Sequence, residues 1–249
     1  TPATRHPPGA TSPMNTPFAW QTHAAPAGAV FDEGLRRHML RVYNTMGLGL
    51  ALTGLVALGV SSTPALYKPL FGTPLKYVVM LAPLAFIMVL SFRADRISAA
   101  TAHTLFWTFC GVMGLSLASI FLVFTGTSIA RTFFITAAMF GATSLYGYTT
   151  KRDLSKMGSF LVMGLIGLVI ASLVNIFLAS SALQFAISLI GVVIFTGLTA
   201  YDTQSIKEQY AENWGEEAKS KLAVFGALSL YLNFINLFQM LLSLTGERE

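Results

Sequence analysis

The chain has 249 residues, of which 54% are apolar and only 11% are charged, with a mean hydropathy of +0.63 and a net charge of +5. A soluble domain carries about 25% charged residues, so this composition excludes a soluble protein and predicts an all-α, polytopic membrane protein. The positive charges fall in short segments between apolar runs, as membrane insertion requires, which argues against nucleic acid as a partner.

Residues 1–34 differ in composition from the rest of the chain. They contain six of the ten prolines and show no apolar periodicity, a pattern that is typical of disorder. We predict a disordered cytoplasmic N-terminal tail over 1–34 and a transmembrane domain over 35–249.

Seven apolar stretches follow the tail, each close to the roughly 20 residues that a spanning helix needs. Three prolines separate the first two stretches, and because proline stops a helix from extending, we predict a loop at Pro64, Pro69 and Pro74. The seven predicted spans are 42–60, 75–92, 104–125, 131–149, 159–179, 184–206 and 222–244.

The distribution of basic residues predicts the orientation of these spans. Twelve of the sixteen lysines and arginines fall on the side of the N-terminus, and the other four are Lys68, Lys76, Arg131 and Arg248. Since basic loops stay inside the cell, we expect a cytoplasmic N-terminus and an external C-terminus. An odd number of spans agrees with that arrangement.

One acidic residue stands out in the sixth predicted span. Asp202 follows an apolar run and is the only acid within or next to any long apolar stretch. A charged side chain there is costly to expose to lipid, so it is expected to face protein or water. Thr199 lies on the same helical face, three residues before Asp202.

The seventh predicted span carries a polar stripe. Steps of four, three, three and four keep its members on one helical face, and they are Ser229, Asn233, Asn236, Gln239 and Ser243. Polar groups in hydrocarbon need partners, so the stripe places this helix in the interior of the bundle. Simple interhelical hydrogen bonding is the alternative to a functional role for each residue. We expect Asp202 to meet this helix near Ser229 or Asn233.

In ideal helices, Asp202 and Asn233 would lie at different depths in the membrane. Asp202 lies about 7.5 Å along the helix from Lys207, whereas Asn233 lies about 18 Å from Lys221, at 1.5 Å per residue. Contact therefore requires the sixth helix to sit deep, or the connecting loop to dip inward, and the sequence leaves both open.

Enzymatic chemistry is not predicted. An aspartyl protease in a membrane needs two acids, and a serine protease needs a serine–histidine pair, but no histidine lies inside a predicted span. The single cysteine, Cys110, is expected to be a packing residue. No metal-ligand or phosphate-loop spacing appears, so no cofactor is expected.

Several motifs in order resemble the bacterial branch of the Bax inhibitor, or transmembrane Bax-inhibitor-motif, family. The similarity covers about residues 31–249 and rests on Tyr201-Asp202-Thr203-Gln204, Phe140-Gly141 with Ser144-Leu-Tyr-Gly147, Arg152-Asp153-Leu154, and the run from Ala227 to Phe238. The resemblance implies seven helices, six of them around the last, and a pH-sensitive calcium leak. It also implies a gate formed by two aspartates on the sixth and seventh helices.

Asp202 matches the first position of that pair, but Asn233 stands at the second. Two facing carboxylates share a proton, which an asparagine cannot do. Its amide can instead donate a hydrogen bond that favours the ionised Asp202 carboxylate. We therefore expect flux through this chain to depend only weakly on pH between about 6 and 8.

The resulting hypothesis is a cation (calcium) leak channel of the bacterial inner membrane, with the pH sensitivity that the resemblance implies. Asp202 would be the ion-facing or gating carboxylate and a transient calcium contact, and the expected ion pathway or gate comprises Asp202, Asn233, Ser229, Asn236 and Thr199. Its partners would be the lipid bilayer, calcium or protons, and a membrane protein. The alternative is a non-conducting regulatory protein that binds membrane proteases or other membrane proteins.

Overall fold

The computed structural model describes residues 27–93 and 97–248, which are almost entirely helical. Because lipid offers no hydrogen-bond partners to the backbone, helices are the expected solution, and the prediction of an all-α polytopic membrane protein is confirmed. The helices are α1 (Ala27–Ser61), α2 (Pro64–Gly72), α3 (Leu75–Arg93), α4 (Ala99–Leu117), α5 (Gly126–Thr149), α6 (Ser155–Leu178), α7 (Ser181–Gln209) and α8 (Glu216–Thr245), with a 3₁₀ turn at Ala118–Leu122.

The first helix begins earlier than the sequence predicts. Most of the predicted tail, residues 1–26, lies outside the described residues, but its last eight residues, 27–34, belong to α1. No proline follows Pro26 in this part of the chain, so nothing prevents the helix from extending toward the N-terminus. An exposed ion pair between Glu33 and Arg37, at 3.2 Å, lies on this extension.

The loop predicted around three prolines is wrong in its central part, where the chain forms α2. Pro64 occupies the first turn of α2, where a missing N–H costs nothing. The helix ends at Gly72, and α3 starts at Leu75 after a bend of 86°. None of the residues of α2 is buried.

Six described helices are long and apolar enough to cross a membrane, and there are seven if α2 and α3 together count as one bent span. In α8, 61% of the most apolar window is buried inside the bundle, compared with 17% in α6. The last helix is therefore the interior helix.

The other helices do not surround α8 equally. α8 packs mainly against α1, α4, α5 and α7, whereas α3 lies against α2 and α4, and α6 lies against α7. The last helix is thus at the centre of the bundle, as predicted, with four of the other helices as its main neighbours.

Close backbone contact fixes α7 within this bundle. A Cβ atom added to Gly147 of α5 would overlap the carbonyl oxygen of Ala200 in α7. On the opposite side, Gly158 of α6 lies directly against the ring of Tyr201. Small residues permit such approaches between membrane helices, and here they hold the turn of α7 that carries Asp202.

Candidate functional site

Asp202 connects α7 to the interior helix. Its Oδ2 atom accepts a hydrogen bond from the Ser229 hydroxyl at 2.5 Å and another from the Asn233 amide at 2.8 Å. The described residues donate no hydrogen bond to Oδ1, and the side chain is only partly buried. The described residues thus anchor one oxygen of the carboxylate, Oδ2.

The staggered ends of the two helices remove the mismatch in depth. Asp202 lies seven residues before the end of α7 at Gln209, whereas Ser229 lies thirteen residues after the start of α8 at Glu216. The first turns of α8 therefore extend beyond the end of α7. The short connection between Gln209 and Glu216 allows this offset.

Two of the predicted site residues, Thr199 and Asn236, donate their side-chain hydrogen bonds elsewhere than to Asp202. The Thr199 hydroxyl is completely buried and donates to the carbonyl oxygen of Phe195 in its own helix at 2.8 Å. The Asn236 amide likewise donates to the carbonyl oxygen of Leu232 at 2.8 Å. The structure therefore brings Asp202, Ser229 and Asn233 together and leaves Thr199 and Asn236 bonded within their own helices.

No basic side chain of the described residues forms an ion pair with Asp202. The three ion pairs between described residues are all exposed or near helix ends and involve other acids. Lys207, the next charged residue along α7, donates to the carbonyl oxygen of Tyr148 at 2.8 Å. The donors that the described residues supply to the carboxylate, Ser229 and Asn233, are both neutral.

A chain of hydroxyl groups next to Asp202 was not predicted from the sequence. The Tyr43 hydroxyl of α1 is 2.6 Å from the Ser144 hydroxyl of α5, which lies 2.9 Å from the Thr203 hydroxyl of α7. Ser144 lies within a motif that carries the family resemblance, but its partner on α1 is about a hundred residues away. A single sequence contains no signal for that pairing.

A second unpredicted contact fixes the end of α7. The buried Gln204 side chain accepts a hydrogen bond from the backbone N–H of Leu154 and donates one to the carbonyl oxygen of Arg152, both at 2.8 Å. Both partners belong to the connection between α5 and α6. Gln204 therefore ties this loop to the helix that carries Asp202.

The far end of the polar stripe belongs to a separate cluster. Ser243 accepts a hydrogen bond from Ser188 of α7 at 3.0 Å, and Gln184 lies within 3.5 Å of it. Gln184 also accepts from Asn175 of α6 at 3.2 Å. One end of the polar stripe thus hydrogen-bonds Asp202, and the other end hydrogen-bonds residues that link α6, α7 and α8.

The described residues contain no group of three histidine, cysteine, aspartate or glutamate side chains that could hold a metal ion. Calcium in resident sites takes six to eight oxygen ligands, usually with several carboxylates. A calcium ion at Asp202 would meet one carboxylate, with neutral oxygens and water supplying the remaining ligands.

This architecture defines a class of polytopic all-α membrane proteins in which the last helix is buried and holds a lone carboxylate of the helix before it. The chain matches the family model described as "Inhibitor of apoptosis-promoting Bax1" over residues 35–249. It therefore belongs to the Bax inhibitor family, as the sequence motifs indicated.

Three bacterial proteins show how much of the chain is shared with its relatives. The inner membrane protein YbhL of Escherichia coli K12 is 48% identical over 224 residues, which cover 87% of this chain and 94% of YbhL. An uncharacterised protein of Rickettsia prowazekii is 52% identical over 219 residues, covering 88% and 93% of the two chains. An uncharacterised protein of Caulobacter vibrioides is 49% identical over 243 residues, covering 94% and 97%.

Proposed function

We propose that this protein is a calcium leak channel of the bacterial inner membrane, in which Asp202 is the ion-facing or gating carboxylate. The observation that supports the proposal most directly is the asymmetry of that carboxylate. Ser229 and Asn233 both donate to Oδ2, whereas Oδ1 accepts nothing from the described residues. An ionised oxygen inside a helical bundle is the kind of group that marks an ion pathway.

The groups around Asp202 favour weak, transient binding of a passing ion and not a stable calcium site. A single carboxylate with neutral neighbours supplies few of the oxygens that calcium needs, so a bound ion would keep much of its water and leave readily. A basic residue paired with Asp202 would repel a cation, and the three ion pairs among the described residues do not involve it. The inner membrane location is proposed from the similarity to YbhL.

The test is calcium flux into liposomes that contain the purified protein. At an effective dielectric constant of 20, two unit charges about 4 Å apart interact by about 4 kcal/mol, so Asp202→Asn should change flux by at least about tenfold. A fall would indicate direct contact with the ion, and a rise would indicate that Asp202 keeps the pathway closed. Glu208→Gln, at an exposed acid on the same helix, is the matched control.

Two results would overturn the proposal. One is equal flux in Asp202→Asn and Glu208→Gln protein. The other is a parent protein without flux that co-purifies with a membrane protease or another membrane protein, which would establish the non-conducting regulator instead. Melting curves and size-exclusion profiles of all variants verify that they are folded.

A further inference from the structure

Two grooves follow the boundary between α1 and α5 at successive heights in the bundle. The first, of about 440 Å³, begins near the N-terminal end of α1 and includes Arg36, Leu40, Tyr43, Gly141 and Ser144 in its lining. We call it the Arg36 groove. The second, of about 320 Å³, lies farther along α1 and reaches the buried helix at Phe234 and Phe238.

The Arg36 groove has one charged end and an apolar body. Among the described side chains that line it, Arg36 is the only charged one and none is acidic. Its two hydroxyl groups, those of Tyr43 and Ser144, are 2.6 Å apart and bonded to each other. These hydroxyls bridge α1 and α5 and satisfy each other's hydrogen-bonding capacity.

The groove opens toward the lipid. Leu40 and Leu145, one on each wall, are 49% and 62% exposed, and both helices are candidate membrane spans. Arg36 lies about one turn from Leu40, near the end of the span. A molecule that fits this surface has an anionic group at the membrane interface and an apolar chain that runs inward.

We propose that the Arg36 groove binds an anionic phospholipid of the surrounding bilayer, with the phosphate at Arg36 and one acyl chain between α1 and α5. A helix of a partner protein is about 10–12 Å across with its side chains, much wider than a single acyl chain. A soluble anion would gain nothing from the apolar walls. This inference does not depend on calcium conduction.

Lipid binding to the purified protein in detergent tests the proposal, with native mass spectrometry as the readout. Phosphatidylglycerol and phosphatidylcholine with identical chains are titrated in parallel. One basic residue near an anionic headgroup corresponds to about fivefold in affinity, so the parent should bind phosphatidylglycerol about fivefold more tightly. Arg36→Gln should remove that preference.

Arg37→Gln is the matched charge control, because Arg37 is exposed, pairs with Glu33 and does not line the groove. For the apolar body, Gly141→Leu should weaken the binding of both lipids, since it adds a side chain inside the groove. Gly167→Leu, at another helical glycine with open space around it, should not.

Three results would overturn the proposal: equal affinity of the parent for both lipids, an equal loss of preference in Arg36→Gln and Arg37→Gln, or unchanged binding in Gly141→Leu. Arg36 is exposed, so its replacement leaves the fold intact and the arginine pair decides the proposal even if Gly141→Leu does not fold.

Discussion

Asn233 determines how many titratable groups the site contains. Its amide donates to Asp202 Oδ2 from 2.8 Å, and because it cannot exchange a proton at physiological pH, the site holds a single carboxylate. The family resemblance implies two aspartates in this place. At this distance two carboxylates could not both ionise freely and would share a proton.

Asn233→Asp should therefore make calcium flux more steeply dependent on pH between about 6 and 8 than it is in the parent protein. The physical reason is the new coupled titration between residues 202 and 233. Flux in liposomes at several pH values provides the comparison. Asn236→Asp is the matched control, because the Asn236 amide bonds within its own helix. An equal change in both variants would show that residue 233 does not form a gate with Asp202.

Gln204 supports the same helix by a different contact. Gln204→Ala would leave the backbone N–H of Leu154 and the carbonyl oxygen of Arg152 without their partner, and a buried group without a partner costs about 1–3 kcal/mol. We expect Tm in detergent to fall by several degrees. Gln209→Ala, at an exposed glutamine whose amide donates to Ser205 of the same helix, should leave Tm nearly unchanged. Equal Tm values for the two variants would contradict this role.

At the scale of the helices, the position of Asp202 depends on how closely α5 approaches α7. The Gly147 Cα faces the backbone of Ala200, so neither partner can yield by changing a rotamer. The adjacent hydroxyl bridge between Ser144 and Thr203, at 2.9 Å, depends on the same approach. Any group larger than hydrogen at residue 147 must push the two helices apart.

Gly147→Ala should therefore destabilise the protein by about 1–3 kcal/mol, the usual cost of overpacking, although alanine is a better helix former than glycine. Gly141→Ala in the same helix meets open space and should be neutral or slightly stabilising. Thermal unfolding in detergent separates the two variants. A Gly147→Ala protein as stable as Gly141→Ala would show that the approach of α5 to α7 is not tight.

Some of these contacts could be predicted from the sequence, and some could not. The helical spacing of Ser229 and Asn233 predicted a polar face on the last helix. Because Asp202 is a lone acid in the preceding span, contact between Asp202 and that polar face could also be predicted. The stagger of α7 and α8 depends on the connection between them, whose shape no periodicity determines. The Tyr43–Ser144 contact could be predicted only from knowledge of which helices are neighbours. The sequence did not predict α2, because a proline in the first turn of a helix has the same local signal as a proline that ends one.

At the scale of the whole molecule, α2 and α3 determine the number of crossings. The 19 residues of α3 extend about 28 Å at 1.5 Å per residue, close to the roughly 30 Å of the hydrocarbon core. α3 is thus long enough to cross alone. With a bend of 86° between the two helices, we predict that α2, which has no buried residues, lies along the membrane surface. The predicted arrangement has seven crossings.

Seven crossings would place the two ends of the described chain on opposite sides of the membrane, and from the excess of basic residues we predict that the N-terminal end is inside the cell. Cysteine labelling in intact cells tests both statements, because the native Cys110 is completely buried and gives little background. With a membrane-impermeant maleimide, Glu247→Cys should be labelled, whereas Glu33→Cys and Glu212→Cys should react only after the cells are opened.

Labelling of Glu33→Cys and Glu247→Cys from the same side would mean that α3 does not cross. Labelling of Glu33→Cys alone, with Glu247→Cys protected, would retain seven crossings and reverse the orientation.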